Sequence, residues 1–223
     1  MIYITGDMHG DLKRLYDGQF FKLKAGDVLI VCGDFGYIYS GDKQQSQVIE
    51  YFATRKFTTA FIDGTHDDLD YINNCRQTVW KDGLIHRISG NLIHLCRGQI
   101  YNIEGKSFFT FGGGESEDKD ERINLNKWWR AEEPTPLEMA NGAIKLDEVG
   151  CNVDYIITHE PPSRVKSAIL ARKGGVERVN KLNGYFEEIA ATVDFKCWYF
   201  GSLHEDKSIS KEYHCCFKKL VKI

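Results

Sequence analysis

Short apolar runs alternate with amphipathic segments over the first third of the chain. The runs Met1–Thr5, Asp27–Cys32 and Thr58–Ile62 are rich in β-branched and apolar residues and predict strands, the second of them buried on both faces. Apolar spacing between them predicts two helices, Leu12–Phe21 and Gln44–Thr54. Strands that alternate with helices indicate βαβ units, so we expect largely parallel pairing in this half.

The middle of the chain has a different pattern. Four short strand candidates are separated by glycine-containing turns and predict a meander of hairpins: Ile85–Ile88, Asn91–Arg97, Gln99–Ile103 and Lys106–Phe111. A Gly112-Gly113-Gly114 hinge then opens a charged loop over Glu115–Arg122, and Trp128 and Trp129 follow it.

The last third returns to an alternating pattern. We predict a helix over Leu137–Val149 and a second over Val176–Ala191, the latter bracketed by the strands Tyr155–Thr158 and Cys197–Gly201. Closing strands are expected within Ser208–Ile223. This order predicts one α/β domain over residues 1–223, built from two sheets with helices outside.

Composition narrows the class of protein. The 223 residues are 42% hydrophobic and 27% charged, which excludes a disordered chain. The 29 Lys and Arg against 32 Asp and Glu give a net charge of −3, so a nucleic-acid-binding module is not expected. No apolar run approaches membrane-spanning length, and no secretory signal is visible. Seven cysteines without a C-x-x-C pair predict reduced thiols in a cytoplasmic protein.

Acidic and histidine side chains follow the predicted strands. They include Asp7 and His9 after the first strand, Asp34 after the second and His66 after the third. His159 and His204 follow the two later strands, so these loops hold four of the seven histidines. Strand-end loops are where α/β sheets bind ligands, and mixed carboxylate and imidazole ligands suit Mn, Fe or Zn rather than Ca. The remaining His86, His94 and His214 lie in strand-like stretches and are expected to be structural.

The order of these motifs resembles the calcineurin-like metallophosphoesterases, whose motifs run D-x-H, G-D-x-x-D, G-N-H-[DE], H and G-H-x-H. The segment from Gly112 through Arg122 to Trp128-Trp129 is also similar to a bacterial and phage branch of that superfamily. The resemblance covers nearly the whole chain. It implies a four-layer αββα sandwich of two mixed β-sheets flanked by helices, and hydrolysis of a phosphate ester by metal-activated water.

The resemblance also implies roles for individual residues. The first metal would be held by Asp7, His9, Asp34 and His204, and the second by Asp34, as a bridging ligand, together with His159. His66 would be a catalytic histidine that does not bind metal and instead stabilises the transition state or protonates the leaving oxygen. The expected cofactors are one or two divalent ions, with Mn the first choice and Fe, Zn or Ni as alternatives.

Two residues differ from the family motifs at positions that would hold the second metal. Thr65 stands where the family has Asn, and Ser202 stands where it has the first His of G-H-x-H. The second site should therefore bind more weakly. Nearby acids, namely Glu160, Asp67, Glu205 and Asp206, either compensate or are solvated loop residues. The alternative to an active enzyme is a degenerate scaffold that holds one metal or none and binds a phosphorylated ligand or a protein.

Two further differences from the family motifs concern the class of substrate. Tyr37 and Ile38 replace an Asp and an Arg of the protein phosphatases, which favours a small phosphomonoester, phosphodiester or nucleotide. Lys119 and Arg122 either contact the substrate phosphate or form a solvated charge run. The Trp128-Trp129 pair forms either a stacking wall or ordinary packing. Neither a nucleic-acid nor a membrane partner is expected, and the oligomeric state is left open.

Overall fold

The computed structural model describes residues 1–16, 18–39, 41–116, 118–174 and 179–223. Short 3₁₀ turns cover Phe20–Lys22 and Arg130–Glu132. The helices are α1 (Leu12–Leu15), α2 (Lys43–Ala53), α3 (Leu69–Asn74), α4 (Lys119–Asn124), α5 (Pro136–Glu148), α6 (Ser163–Lys173) and α7 (Lys181–Thr192). The strands are β1 (Ile2–Thr5), β2 (Val28–Cys32), β3 (Thr58–Ile62), β4 (Arg76–Trp80), β5 (Gly83–Ser89), β6 (Leu92–Leu95), β7 (Gln99–Ile103), β8 (Lys106–Phe111), β9 (Asn152–Thr158), β10 (Asp194–Phe200), β11 (Lys207–Ser208), β12 (Tyr213–Cys215) and β13 (Val221–Lys222).

These strands form two mixed sheets. The first has the order β13-β1-β2-β3-β6-β5-β4, with parallel pairing from β1 through β3 to β6. The second has the order β11-β12-β10-β9-β8-β7, with parallel pairing from β12 through β10 and β9 to β8. Antiparallel strands complete the edges of both sheets. The predicted α/β class with two mixed sheets is confirmed.

Three apolar layers hold the sheets and helices together. β2 shows how they form, because all five of its residues are buried. Val28, Ile30 and Cys32 enter a cluster shared with the second sheet, whereas Leu29 and Val31 pack on the other face with residues of α1, α2 and α3. A third cluster joins the outer face of the second sheet to α5, α6 and α7. Helix, sheet, sheet and helix therefore stack in four layers, as the family resemblance predicted.

Local capping explains where the helices begin. The Asp42 side chain accepts a hydrogen bond from the backbone N–H of Gln45 and caps α2. Thr135 and Glu138 form a reciprocal capping box at the start of α5, with Pro136 at the first helical position. Among the described residues, no helix has both the length and the apolar composition required to cross a bilayer.

The predicted meander is wrong at its centre. Asn91–Arg97 and Gln99–Ile103 do not pair as a hairpin, because β6 lies in the first sheet and β7 in the second. The chain crosses between sheets at Gly98, whose φ of +67° is left-handed. A Cβ there would lie 2.8 Å from Gly142 Cα, so the crossover packs directly against α5.

Several predicted bounds also change. The helix expected over Leu12–Phe21 ends at Leu15, and a 3₁₀ turn follows at Phe20–Lys22. The charged loop Glu115–Arg122 contains the start of α4. The helix predicted over Val176–Ala191 begins at Lys181, and residues 176–178 lie outside the described part of the chain. The strand β4, the helices α3, α4 and α6, and the 3₁₀ turn at Arg130–Glu132 were not predicted.

Candidate active site

The carboxyl ends of the parallel strands from both sheets meet at one edge of the sandwich. A cavity of about 440 Å³ opens there. Its lining includes five of the six predicted metal and catalytic residues, namely His9, Asp34, His66, His159 and His204. The sixth, Asp7, is buried. The structure therefore brings together side chains that are up to 197 residues apart in sequence, from Asp7 to His204.

The first cluster of ligand atoms comes from Asp7, His9 and His204. Their donor atoms lie within 4.8 Å of one another. His204 Nε2 is 3.1 Å from Asp7 Oδ2, and His9 Nε2 is 2.7 Å from His204 Nε2. His9 Nδ1 is 3.7 Å from Asp34 Oδ2, which places the fourth predicted ligand beside the group.

The backbone at these ligands is unusual. His9, Asp34 and His204 all have left-handed φ values, of 49°, 44° and 53°, although none is glycine. This conformation costs free energy for ordinary L-residues and tends to occur at functional sites. Two backbone hydrogen bonds hold it in place, because the Asp34 carbonyl accepts from the N–H groups of both Met8 and His9 at 2.9 Å.

Asp34 is the centre of the hydrogen-bond network. Its Oδ1 accepts from the backbone N–H groups of Thr65 and His66 at 2.6 and 2.9 Å. Its Oδ2 lies 2.9 Å from His66 Nδ1. Burial alone would raise the pKa of Asp34, but the charge of His159 and the hydrogen bond from His66 hold that pKa well below its usual range. Asp34 is therefore a buried carboxylate that stays ionised.

His159 lies beneath the cavity on the other side of Asp34. Its Nδ1 is 3.2 Å from the Cys32 carbonyl and donates to it, which leaves Nε2 directed towards Asp34 Oδ1 at 3.7 Å. Burial opposes protonation of this ring, yet the charges of Asp34, Asp7 and Glu160 raise the pKa of His159 to about 9. The position therefore favours a positive charge.

The two replaced ligands adopt defined contacts. Ser202 Oγ donates to Glu160 Oε1 at 2.7 Å, and the Ser202 backbone N–H donates to both Asp7 oxygens at 3.0 and 3.1 Å. Thr65 Oγ1 lies 3.0 Å from His66 Nδ1 and 3.4 Å from Asp34 Oδ1. Thr65 and Ser202 therefore line the cavity as neutral hydroxyl groups.

Glu160 belongs to a buried charged network that the sequence only partly revealed. Its Oε2 accepts from Lys166 Nζ at 2.7 Å and from Asn183 Nδ2 at 2.9 Å. Burial opposes ionisation, but Lys166 and His159 lower the pKa of Glu160. Lys166 was missed because it lies on α6, which has a weak amphipathic pattern with only Ile169 buried.

The other nearby acids have separate roles. Asp67 is buried and accepts from the Gly36 and Gly64 N–H groups at 2.8 and 3.0 Å, with its pKa raised to about 7 by burial and by the charge of Asp34. Glu205 pairs with Lys173 at 2.9 Å. Asp206 accepts from the backbone N–H groups of residues 217–219. Of the four acids considered for compensation, only Glu160 lines the cavity.

Lys119 and Arg122 both make defined contacts with other residues of the chain. Neither side chain is among those described as lining the cavity. Arg122 is buried, donates to the Thr65 carbonyl and pairs with Glu132 at 3.2 Å, so its charge is used to hold the Thr65 loop. Lys119 Nζ pairs with Glu133 and lies 4.5 Å from the centroid of the Trp128 ring. The buried Arg122 does not belong to a solvated charge run, and contact of Lys119 or Arg122 with a substrate phosphate stays a prediction.

The tryptophan pair is engaged in packing. Trp129 contacts the edge of Tyr39, with ring centroids 5.2 Å apart, and it packs against the apolar layer beneath α2. Trp128 lies against Lys119. The packing alternative describes both residues better than a stacking wall at the cavity.

The residues around the cavity fit a divalent metal. The convergent donors are carboxylate oxygens and imidazole nitrogens, the ligand types that transition metals take. Two glycines lie directly against the carboxylate donors and leave them free of neighbouring side chains. A Cβ at Gly201 would lie 2.1 Å from Asp7 Oδ1, and one at Gly64 would lie 2.1 Å from Asp34 Oδ1. The His159 Nδ1 bond to a carbonyl is of the kind that orients metal-ligating histidines.

Comparison with known proteins agrees with this geometry. No curated protein matches the sequence. The family model for calcineurin-like phosphoesterases matches residues 1–206, which include every residue of the candidate site. The chain therefore belongs to the calcineurin-like phosphoesterase family.

Proposed function

We propose that this protein is a divalent-metal-dependent hydrolase that cleaves a small phosphomonoester, a phosphodiester or a nucleotide. The observation that carries the proposal is the convergence of Asp7, His9 and His204 beside Asp34, with His66 2.9 Å from the same carboxylate. Manganese is the proposed metal and the cytoplasm the proposed compartment, the latter supported by seven cysteines that are all free. Nucleic acid is not proposed as a partner.

The chain's own groups define where a metal would bind. Asp7, His9, Asp34 and His204 would hold the first ion, and Asp34 with His159 the second. When bound, divalent ions polarise phosphoryl oxygens and activate the attacking water. Because the first set has four protein ligands and the second only two, we propose that the first site binds more tightly.

His66 is proposed to handle the proton of the leaving group. Its Nδ1 donates to Asp34, which leaves Nε2 as the nitrogen that can hold or deliver a proton. The hydrogen bond to Asp34 raises the pKa of His66, although burial works in the opposite direction. The raised pKa shifts His66 towards the protonated form, which is the form that a general acid requires.

Lys166 places an ammonium group, paired with the Glu160 carboxylate, on the weaker side of the cavity. Its side chain is 12% exposed and is tied to Glu160, so the charge is held in place. We propose that this pair, together with Ser202, orients the substrate phosphate where the second metal has lost ligands. The partial desolvation of the pair strengthens its electrostatic effect.

Hydrolysis of aryl phosphate mono- and diesters by metal-free protein reconstituted with Mn²⁺ tests the proposal. We expect Mn²⁺-dependent turnover by wild type and loss of turnover in Asp34→Asn. Asp70→Asn is the matched control, because Asp70 is an exposed aspartate on α3 outside the cavity. Equal rates for wild type and Asp34→Asn, or no turnover over a range of metals, would contradict the proposal.

A specific observation favours a second candidate function. Thr65 and Ser202 replace two family ligands, so the alternative is a scaffold that binds a phosphorylated ligand or a protein without hydrolysing it. The double variant Thr65→Asn with Ser202→His separates the two. It should change an active enzyme little, whereas appearance of turnover only in the double variant would support the scaffold.

A further inference from the structure

A second group of metal-ligating side chains lies outside the active-site cavity. β5 and β6 are antiparallel, and His86 and His94 are direct partners in their register. Cys96 comes directly after β6, and the donor atoms of His86, His94 and Cys96 all lie within 4.8 Å of one another. All three side chains line a separate cavity of about 240 Å³, and among the described residues none lines both cavities.

Two of the distances between these donor atoms match the spacing of ligands around a tetrahedral ion. His86 Nδ1 is 3.2 Å from His94 Nδ1, and Cys96 Sγ is 3.7 Å from His86 Nδ1. Zinc binds nitrogen at about 2.0–2.1 Å and sulfur at about 2.3 Å, so tetrahedral ligands lie about 3.3 Å apart for two nitrogens and about 3.6 Å for nitrogen and sulfur. Both observed distances are close to these values.

A contact with Asp63 fixes the orientation of the His94 ring. Its Nε2 lies 3.0 Å from Asp63 Oδ1, so the proton sits on Nε2 and the lone pair of Nδ1 faces His86. Asp63 is held as a carboxylate by Arg97, whose Nε and Nη2 lie 3.0 and 2.6 Å from Oδ2. Carboxylate–histidine pairs of this kind accompany metal-ligating histidines, where they set the tautomer and increase ligand basicity.

The surroundings favour a soft metal. Burial lowers the pKa of His86 to about 4, so this ring is neutral and able to ligate at ordinary pH. The same burial raises the pKa of the Cys96 thiol to about 12, and a bound cation would reverse that shift by stabilising the thiolate. A combination of thiolate and imidazole ligands selects zinc over magnesium, calcium or manganese.

We propose that His86, His94 and Cys96 form a zinc site distinct from the active-site metals, with its fourth position open to the cavity. Asp63 acts as a positioning residue for it. The site requires none of the residues assigned to phosphoester hydrolysis, so its failure and the failure of the proposed function are separable.

Cobalt substitution tests this proposal, because a thiolate bound to Co²⁺ gives a charge-transfer absorption band that aspartate and histidine ligands do not give. Metal-free full-length protein is titrated with Co²⁺ and then with Zn²⁺. We expect the band in wild type and in Asp34→Asn, its loss in Cys96→Ser, and its displacement by Zn²⁺. Cys75→Ser is the matched control, because Cys75 lies outside this cavity, and it should keep the band.

Two further variants keep the test decisive. His86→Gln should also lose the band, and it serves if Cys96→Ser does not fold as judged by circular dichroism. Asp63→Asn should weaken Zn²⁺ binding by about 10–100-fold, the usual effect of removing an outer-shell carboxylate. No band in folded wild type, or a band that persists in folded Cys96→Ser and His86→Gln, would overturn the proposal.

Discussion

The two sides of the active-site cavity hold different kinds of groups. On the first side, Asp7, His9 and His204 present donors to a shared point beside Asp34. On the second side, the position expected to hold an imidazole is Ser202, whose hydroxyl group donates to Glu160, which in turn pairs with Lys166. The first side carries the donors that we propose to bind a metal, whereas the second side already contains the Lys166 ammonium group, paired with Glu160.

The contacts on the second side show whether the replaced ligands left a disrupted site or a new set of interactions. A site that had simply lost its ligands would leave buried polar atoms without partners. Instead, both Glu160 oxygens have partners, and Asn183 donates to the same carboxylate at 2.9 Å while also capping α7. The second side is thus a satisfied polar network, consistent with a phosphate-binding wall that depends less on metal.

The largest effect is expected on the first side. Asp7→Asn removes a charged metal ligand, and loss of several kcal/mol of metal-based stabilisation corresponds to roughly 10³-fold or more in kcat/KM. Mn²⁺ content measured on the same sample should fall with activity. An Asp7→Asn protein with wild-type turnover would break the assignment of this side as the metal site.

A large effect on stability is expected on the second side. Lys166→Met leaves Glu160 as a buried carboxylate without its cation, which should destabilise the metal-free protein by roughly 3–5 kcal/mol in urea unfolding. The double variant Lys166→Met with Glu160→Gln should recover much of that loss. If the single variant is as stable as wild type, the pair is not the structural element described here.

The same pair predicts a pH dependence. The pKa of Glu160 is lower in the folded state, so its stabilising contribution is present above the unfolded pKa of about 4.3 and is lost as pH falls through the folded value. Acid unfolding of metal-free wild type and Glu160→Gln should therefore converge at low pH. Parallel curves across this range would show that folding does not lower the pKa of Glu160 and would contradict this prediction.

His66→Ala should reduce kcat by about 10²-fold while leaving Mn²⁺ content unchanged, because we propose that the ring moves a proton and does not ligate the metal. The acidic leaving group of an activated aryl ester needs less protonation, so its hydrolysis should suffer less than that of an alkyl ester. Loss of metal from this variant would instead place His66 among the ligands.

The smallest effect is expected from Ser202→Ala. Removing one hydrogen bond to a charged carboxylate should cost about 1.5–3 kcal/mol of stability at most, with kcat altered less than in the variants above. Ser202→Thr keeps the hydroxyl group and is the matched control. A loss of activity as large as that of Asp7→Asn would make Ser202 a member of the reacting centre.

The sequence was sufficient to place the strand-end residues, because parallel strands bring their carboxyl ends to one edge whatever the intervening chain does. It was not sufficient for Lys166, since α6 buries only Ile169 and has no clear apolar face. His86 and His94 were predicted to be structural, and their approach to Cys96 depends on the register of β5 with β6, which periodicity alone does not define. The crossover at Gly98 was missed for a similar reason, because a glycine turn does not reveal whether the next strand stays in the same sheet.

A crystal structure of the protein with Mn²⁺, with anomalous data collected at the manganese edge, tests the difference between the two sides most directly. We expect a strong anomalous peak among Asp7, His9, Asp34 and His204 that fills first as the Mn²⁺ concentration increases. The position beside Asp34 and His159 should show a weaker peak, with Lys166 still bound to Glu160. Two peaks of equal height at low Mn²⁺, or a peak on the second side alone, would contradict it.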